Sequence, residues 1–197
     1  MWTNYRKTFP ARYIKSGYFD QYIQRVISEK KPKTILDIGG GPQGTETLKG
    51  SGGRVYLLDP FIPHKPRWIY KKVGWDAKEK FDAIVCRGSI NYLTKGELLK
   101  IKGFLKIRGF FIANSFLNPP PETWTERQYQ TISDRIGIER FRYNRKKIVI
   151  EHELIPDRGG IIKHSFFYYS LSDYKKIFPG LKLMNYKNNS IILYFEK

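Results

Sequence analysis

Apolar positions recur at helical spacing near the start of the chain. Tyr18, Phe19, Tyr22, Ile23, Val26 and Ile27 fall on one stripe, which predicts a helix that packs on a sheet. The lysine-rich stretch 30–33, with Pro32 inside it, breaks that stripe. Beyond it the period changes. Short apolar runs predict buried strands at 34–38, 54–59, 68–72, 81–86 and 110–115. A glycine loop at 39–44 and a short helix ended by GSGG at 50–53 separate the first two. Thr94 and Glu97 have capping-box spacing and open a helix whose buried face is Leu98, Leu99, Ile101, Phe104 and Leu105. Strands separated by helices favour a parallel α/β sheet.

The rhythm changes after Asn118, where NPPP breaks the chain. Thr123 and Glu126 repeat the capping-box spacing and predict a helix to about Ile136, stopped by Gly137. Segments 147–154 and 161–169 read as strands joined by a PDRGG turn, an antiparallel hairpin. Ser172 is expected to cap a short helix, and 181–186 and 190–195 flank a KNN turn as a last hairpin. The expected organisation is one domain over 1–197. Residues 119–170 form a helix-plus-hairpin insertion that caps it.

Length and composition narrow the class. The 197 residues suffice for one sizeable core but not for a nucleotide domain plus a substrate domain. Hydrophobic residues at 41% and charged residues at 27% are ordinary for a globular chain. No apolar run approaches the ~20 residues of a membrane helix, and the N-terminal stretch has no apolar signal core. A cytoplasmic protein is expected. The single Cys86 precludes an intrachain disulfide, and His64, His152 and His164 show no ligand spacing, so no metal is expected.

The net charge of +18 points to an anionic partner such as nucleic acid, a nucleotide or a phosphorylated substrate. A lysine-rich proteome is an equally simple source of it. The densest cluster, RFRYNRKK at 140–147, sets Arg140, Arg142, Arg145, Lys146 and Lys147 among aromatics, as nucleic-acid surfaces often do.

The chemistry centres on TILDIGGGPQGT, 34–45, where Gly39, Gly41 and Gly44 satisfy G-x-G-x-x-G. Such a loop holds a pyrophosphate or the amino-acid end of S-adenosylmethionine. Asp37 favours the second, since a carboxylate repels a pyrophosphate and attracts an ammonium or sulfonium; it can also accept N–H bonds from the loop. Asp59, at the end of the second strand, suits ribose hydroxyls in either ligand. Pro60 and Phe61 follow, where an apolar side chain would lie on adenine. In VGWDAK, 73–78, Asp76 is placed to accept from the adenine amino group and the Ala77 N–H to reach a ring nitrogen; taken alone, Asp76 is equally a turn residue.

These stretches resemble the class I S-adenosylmethionine-dependent methyltransferases over roughly 18–118, and more loosely over 165–197. LDIGGGPQG, VYLLDP and VGWDAK resemble the first three family motifs; FDAIVCRGSINYL and GFFIANSF resemble the fourth and fifth strands. The resemblance implies a Rossmann-like, mostly parallel seven-stranded sheet with helices on both faces and an antiparallel last strand. It also implies S-adenosylmethionine as cofactor. Gln43 stands where the family commonly has its third glycine, and no D/N-P-P-Y follows the fourth strand, which argues against methylation of a base amino group.

CRGSINYL, 86–93, leaves the fourth strand where family members face the methyl group. Arg87 would pair with the methionine carboxylate or steer an anionic substrate. Asn91 and Tyr92 would orient the acceptor, and Tyr92 is equally suited to packing. His164 is a candidate base that also reads as structural; His152 and Glu151 are weaker candidates. Methyl transfer needs mainly alignment, so a catalytic residue need not be visible. An active enzyme acting on a nucleic acid, nucleotide or small molecule stands against a basic nucleic-acid-binding module without turnover. An NAD-binding protein stands behind both.

Overall fold

A computed structural model describes residues 17–40, 47–59, 71–116, 126–130, 136–144, 147–155, 162–187 and 190–197. Helix α1 (Gly17–Lys30) has Asp20 in its first turn and Lys30 in its last, each suited to the helix dipole there. Strands β1 (Thr34–Ile38), β2 (Arg54–Leu58), β3 (Lys71–Lys72) and β4 (Phe81–Cys86) follow. Helix α2 (Lys95–Phe104) leads directly into β5 (Leu105–Phe116). After it come β6 (Glu126–Gln130), β7 (Ile136–Asn144), β8 (Lys147–Ile155) and β9 (Ile162–Phe167). Helix α3 (Leu171–Ile177), β10 (Lys182–Lys187) and β11 (Ser190–Glu196) complete the chain.

One sheet has the order β10-β11-β5-β4-β1-β2-β3. Its pairs are parallel from β3 to β5, while β11 runs antiparallel to both β5 and β10. The period-2 alternation of each strand gives it two apolar faces. On one, Phe19, Ile23 and Ile27 of α1 pack with Ile35, Val55, Val85 and Ile112. On the other, α2 and α3 set Leu98, Ile101, Tyr174 and Ile177 with Leu36, Ile84, Phe111 and Leu193. Helices therefore cover both faces.

The second sheet, β6-β7-β8-β9, is antiparallel throughout. Here the helix expected from Thr123 is overturned: Glu126–Gln130 is a strand, with Glu126 paired to Arg140 and Gln130 to Ile136. A capping box satisfies only a helix end, and between 126 and 130 Tyr129 is the lone apolar residue, too few for a helical stripe. Backbone pairing to β7 prevails over the local signal.

Smaller departures have similar causes. Thr94 does cap α2 through a full capping box, yet Leu99 is 51% exposed. It lies about 100° around the helix from Leu98, off the stripe that Leu98, Ile101 and Phe104 define. Ser170, not Ser172, caps α3, in a capping box with Asp173. After the glycine loop the described chain forms a 3-10 turn, Lys49–Ser51.

Candidate functional site

Strands β1, β2 and β4 run parallel, so their C-terminal ends share one edge. Ile38 pairs with Leu58 on one side and Cys86 on the other. The residues just beyond these, Gly39, Asp59 and Arg87, are thereby set side by side. Asp37 and Asp59 are both buried there.

The glycine turn needs its glycines. Gly39 has φ +67° and its N–H donates to the Leu58 carbonyl at 2.9 Å. A Cβ on it would lie 2.6 Å from that of Ser89, and one on Gly40 would run into the Asp37 carboxylate. The carboxylate therefore sits directly beneath the turn.

Asp37 shares the α1 face of the sheet with Ile35, and there it meets a cation. Arg87 donates from Nη2 to Asp37 Oδ2 at 2.9 Å. Its Nη1 reaches Thr47 Oγ1 at 2.7 Å and Asp20 Oδ1 of α1 at 3.3 Å. The turn after β4 is pinned further along. Gly88 N–H donates to Asn114 Oδ1 at 2.6 Å, and Ser89 Oγ to the Ile38 carbonyl at 2.6 Å. Burial pushes the Cys86 thiol up to about 12, so it stays protonated beside Ser89 and is no nucleophile.

Asp37, Gly39, Asp59 and Arg87 thus come together. Arg87, expected to pair with a methionine carboxylate or to steer an anionic substrate, holds carboxylates of its own chain. The Ala77 N–H, expected to reach a ring nitrogen, donates to the Gly74 carbonyl at 3.2 Å, because residues 74–77 close into a turn. Asp76 is exposed on that turn. Asn91 was expected to orient an acceptor. It is buried, its Nδ2 donates to the Phe167 carbonyl at 3.1 Å, and its Oδ1 accepts from Ser115. Tyr92 is half-buried, with its N–H on the Ser89 carbonyl at 3.0 Å.

His164 pairs with Ile150 and His152 with Glu139, away from the ends of their strands. Gly41, Gly44, Pro60, Phe61, Arg145 and Lys146 lie outside the described residues. Arg140 has a glutamate at the paired position on each side, Glu126 and Glu151. Among the described residues, no helix is long and apolar enough to cross a membrane, and no cluster of metal-binding side chains occurs.

Several members of the site are not marked by the sequence. Asp20 carried a faint signal, as an acid in the first turn of an amphipathic helix. Ser89 and Asn114 carried none, because their partners are distant in sequence.

No family model matches the chain, and no curated protein does. Solved structures do. An S-adenosylmethionine-dependent methyltransferase from Clostridium acetobutylicum ATCC 824 superposes with TM-score 0.69 at 13% identity, covering 90% of this chain and 89% of that one. The CcbJ methyltransferase from Streptomyces caelestis gives 0.66 at 12% identity, over 87% and 92%. The 1,6-didemethyltoxoflavin-N1-methyltransferase of Burkholderia thailandensis, solved with its substrate and S-adenosylhomocysteine, gives 0.51 at 14% identity, over 93% and 81%. The strand order, the antiparallel β11 and these superpositions agree, and the chain has the fold of the class I S-adenosylmethionine-dependent methyltransferases.

Proposed function

We propose that the protein binds S-adenosylmethionine at the Gly39–Gly40 turn and transfers its methyl group to a small organic acceptor. The observation that carries the reading is the pair of buried carboxylates, Asp37 and Asp59, against that turn. Two acids there suit ribose hydroxyls and a cationic ligand, and oppose a pyrophosphate. When bound, the cofactor supplies an electrophilic methyl on a sulfonium.

The chain's own residues do the holding. Asp59 accepts from the ribose. Asp37, fixed by Arg87, supports the turn from below and adds negative potential under it. Asp76 stands within the segment expected to face the adenine. The half-buried Phe167, Tyr168 and Tyr169 lie where β9 meets the turn after β4, and such rings suit a small acceptor. Tyr169 donates its hydroxyl to the Leu93 carbonyl at 2.9 Å, and burial pushes it up to about 12, so it stays a donor and is not a base. The basic cluster gives the nucleic-acid alternative charge alone.

Calorimetry tests the reading. Saturable binding of S-adenosylhomocysteine with none of NAD is expected. NAD binding without S-adenosylhomocysteine binding overturns it. Transfer of labelled methyl into a small-metabolite fraction, with none into RNA or DNA, is the expected acceptor result.

A further inference from the structure

The buried polar and charged side chains of the described core are Asp37, Asp59, Asn91 and Ser115. The first two belong to the site above. The other two form a separate network with Tyr174, and an apolar core has no need of it. Asn91 spends both ends of its carboxamide, Nδ2 on the Phe167 carbonyl and Oδ1 on Ser115 Oγ at 3.3 Å. Ser115 Oγ also meets the Tyr174 hydroxyl at 2.9 Å. The turn after β4, the end of β5, the end of β9 and α3 are thereby joined at one point.

That point has mechanical weight. Among the described residues, the four-stranded sheet meets the seven-stranded one chiefly where β9 rests on the 3-10 turn Ile90–Tyr92. Phe167, which accepts the Asn91 bond, is the last residue of β9. The same short stretch begins with Arg87 on Asp37 and Ser89 against Gly39. Residues 87–91 therefore grip the glycine turn with one end and the second sheet with the other.

We propose that Asn91 is a positioning residue. Its bond to the Phe167 carbonyl sets where β9 and its aromatic residues stand relative to the glycine turn, and it transmits occupancy of that turn to β9. This rests on the cofactor reading for what occupies the turn; the joint itself is a property of the fold. In this role Asn91 does not touch the acceptor.

The test is hydrogen exchange read by mass spectrometry on the wild type and Asn91→Ala, with and without S-adenosylhomocysteine as probe. Loss of a buried bond at the joint should speed exchange across 162–169 by about tenfold, with β1, β2 and β4 unchanged. Affinity for S-adenosylhomocysteine should stay within about twofold of wild type. Saturating probe should slow exchange at 162–169 in the wild type and leave it unaltered in the variant, a difference that a merely structural residue would not produce. Should Asn91→Ala fail to fold, Ser115→Ala releases the amide oxygen and should speed the same segment by about threefold. A uniform rise over both sheets, or no change at 162–169, overturns the proposal. If the wild type binds no S-adenosylhomocysteine, the cofactor reading and the transmission to β9 both fail, while local exchange still decides the joint.

Discussion

The two edges of the parallel sheet each carry an aspartate paired with a cation, and they could hardly differ more. At the N-terminal edge, Asp82 of β4 accepts from Lys106 at 3.0 Å and from Thr34 of β1 at 2.8 Å, with side chains 29% and 41% exposed for Asp82 and Lys106. At the C-terminal edge, Asp37 and Arg87 are 0% and 9% exposed. The first pair stitches strand ends in contact with water, where such pairs stabilise little. The second was taken out of water, and that desolvation is seldom repaid as stability. A buried carboxylate beneath a glycine turn is what the proposed cofactor site calls for.

The largest expected effect comes from breaking the buried pair. Arg87→Met removes the cation beside the buried Asp37 and should cost about 3–5 kcal/mol, whereas Lys106→Met should cost about 1 kcal/mol or less. Denaturant melts of the two variants check this, and similar losses would erase the contrast between the edges.

Asp59→Ala comes next. It removes a charge-assisted acceptor worth roughly 1.5–3 kcal/mol, so S-adenosylhomocysteine affinity should fall at least about tenfold while the melt stays near wild type. Unchanged affinity in a folded variant refutes the ribose assignment.

A pH titration sharpens the comparison from the exposed edge. Burial pushes the Asp82 carboxyl up, but the hydrogen bonds from Lys106 and Thr34 outweigh it and hold it below its ordinary value. A depressed folded pKa means that this stability is present above the unfolded value and is lost as pH falls through the folded one. The gap between wild type and Lys106→Met, about 1 kcal/mol at most, should therefore close in acid.

The smallest effect is expected from the basic cluster. Replacing Arg142, Arg145, Lys146 and Lys147 by serine should leave S-adenosylhomocysteine affinity unchanged. If the cluster does grip phosphates, each lost contact flattens the log–log salt dependence of RNA or duplex binding by about 0.7–0.9. No flattening is the expected result.

What the sequence disclosed follows a physical line. Buried strands such as Thr34–Ile38 and Phe81–Cys86 announce themselves because both faces of a parallel strand must be apolar. Thr94 announces its helix because a capping box is closed within four residues. Asp37 and Gly39 were legible because a tight turn at positive φ, with a carboxylate packed against it, restricts side-chain choice. What stayed hidden depends on distant partners. The strand at Glu126–Gln130 exists through its pairing with β7. Asn91 looked like a free amide at a site edge until Phe167 and Ser115 came to rest on it. Arg87 could be placed at the right edge of the sheet, but not on Asp20, since that depends on how α1 lies across the strands.

The position of β11 has a consequence in time. The β5 strand, with Phe110, Phe111 and Ile112 in its middle, pairs on one side with β4 and on the other with β11, matching Phe110 to Glu196 and Phe116 to Ser190. Its second neighbour thus leaves the ribosome only after the whole four-stranded sheet has been made. Until then β5 is an open, aromatic-rich edge, the kind that pairs with other chains. The long separation between these partners also slows their meeting. Chains nicked or stopped before Ser190 should therefore be lost to aggregation, even though the glycine turn, Asp37, Asp59 and Arg87 would all have been synthesised.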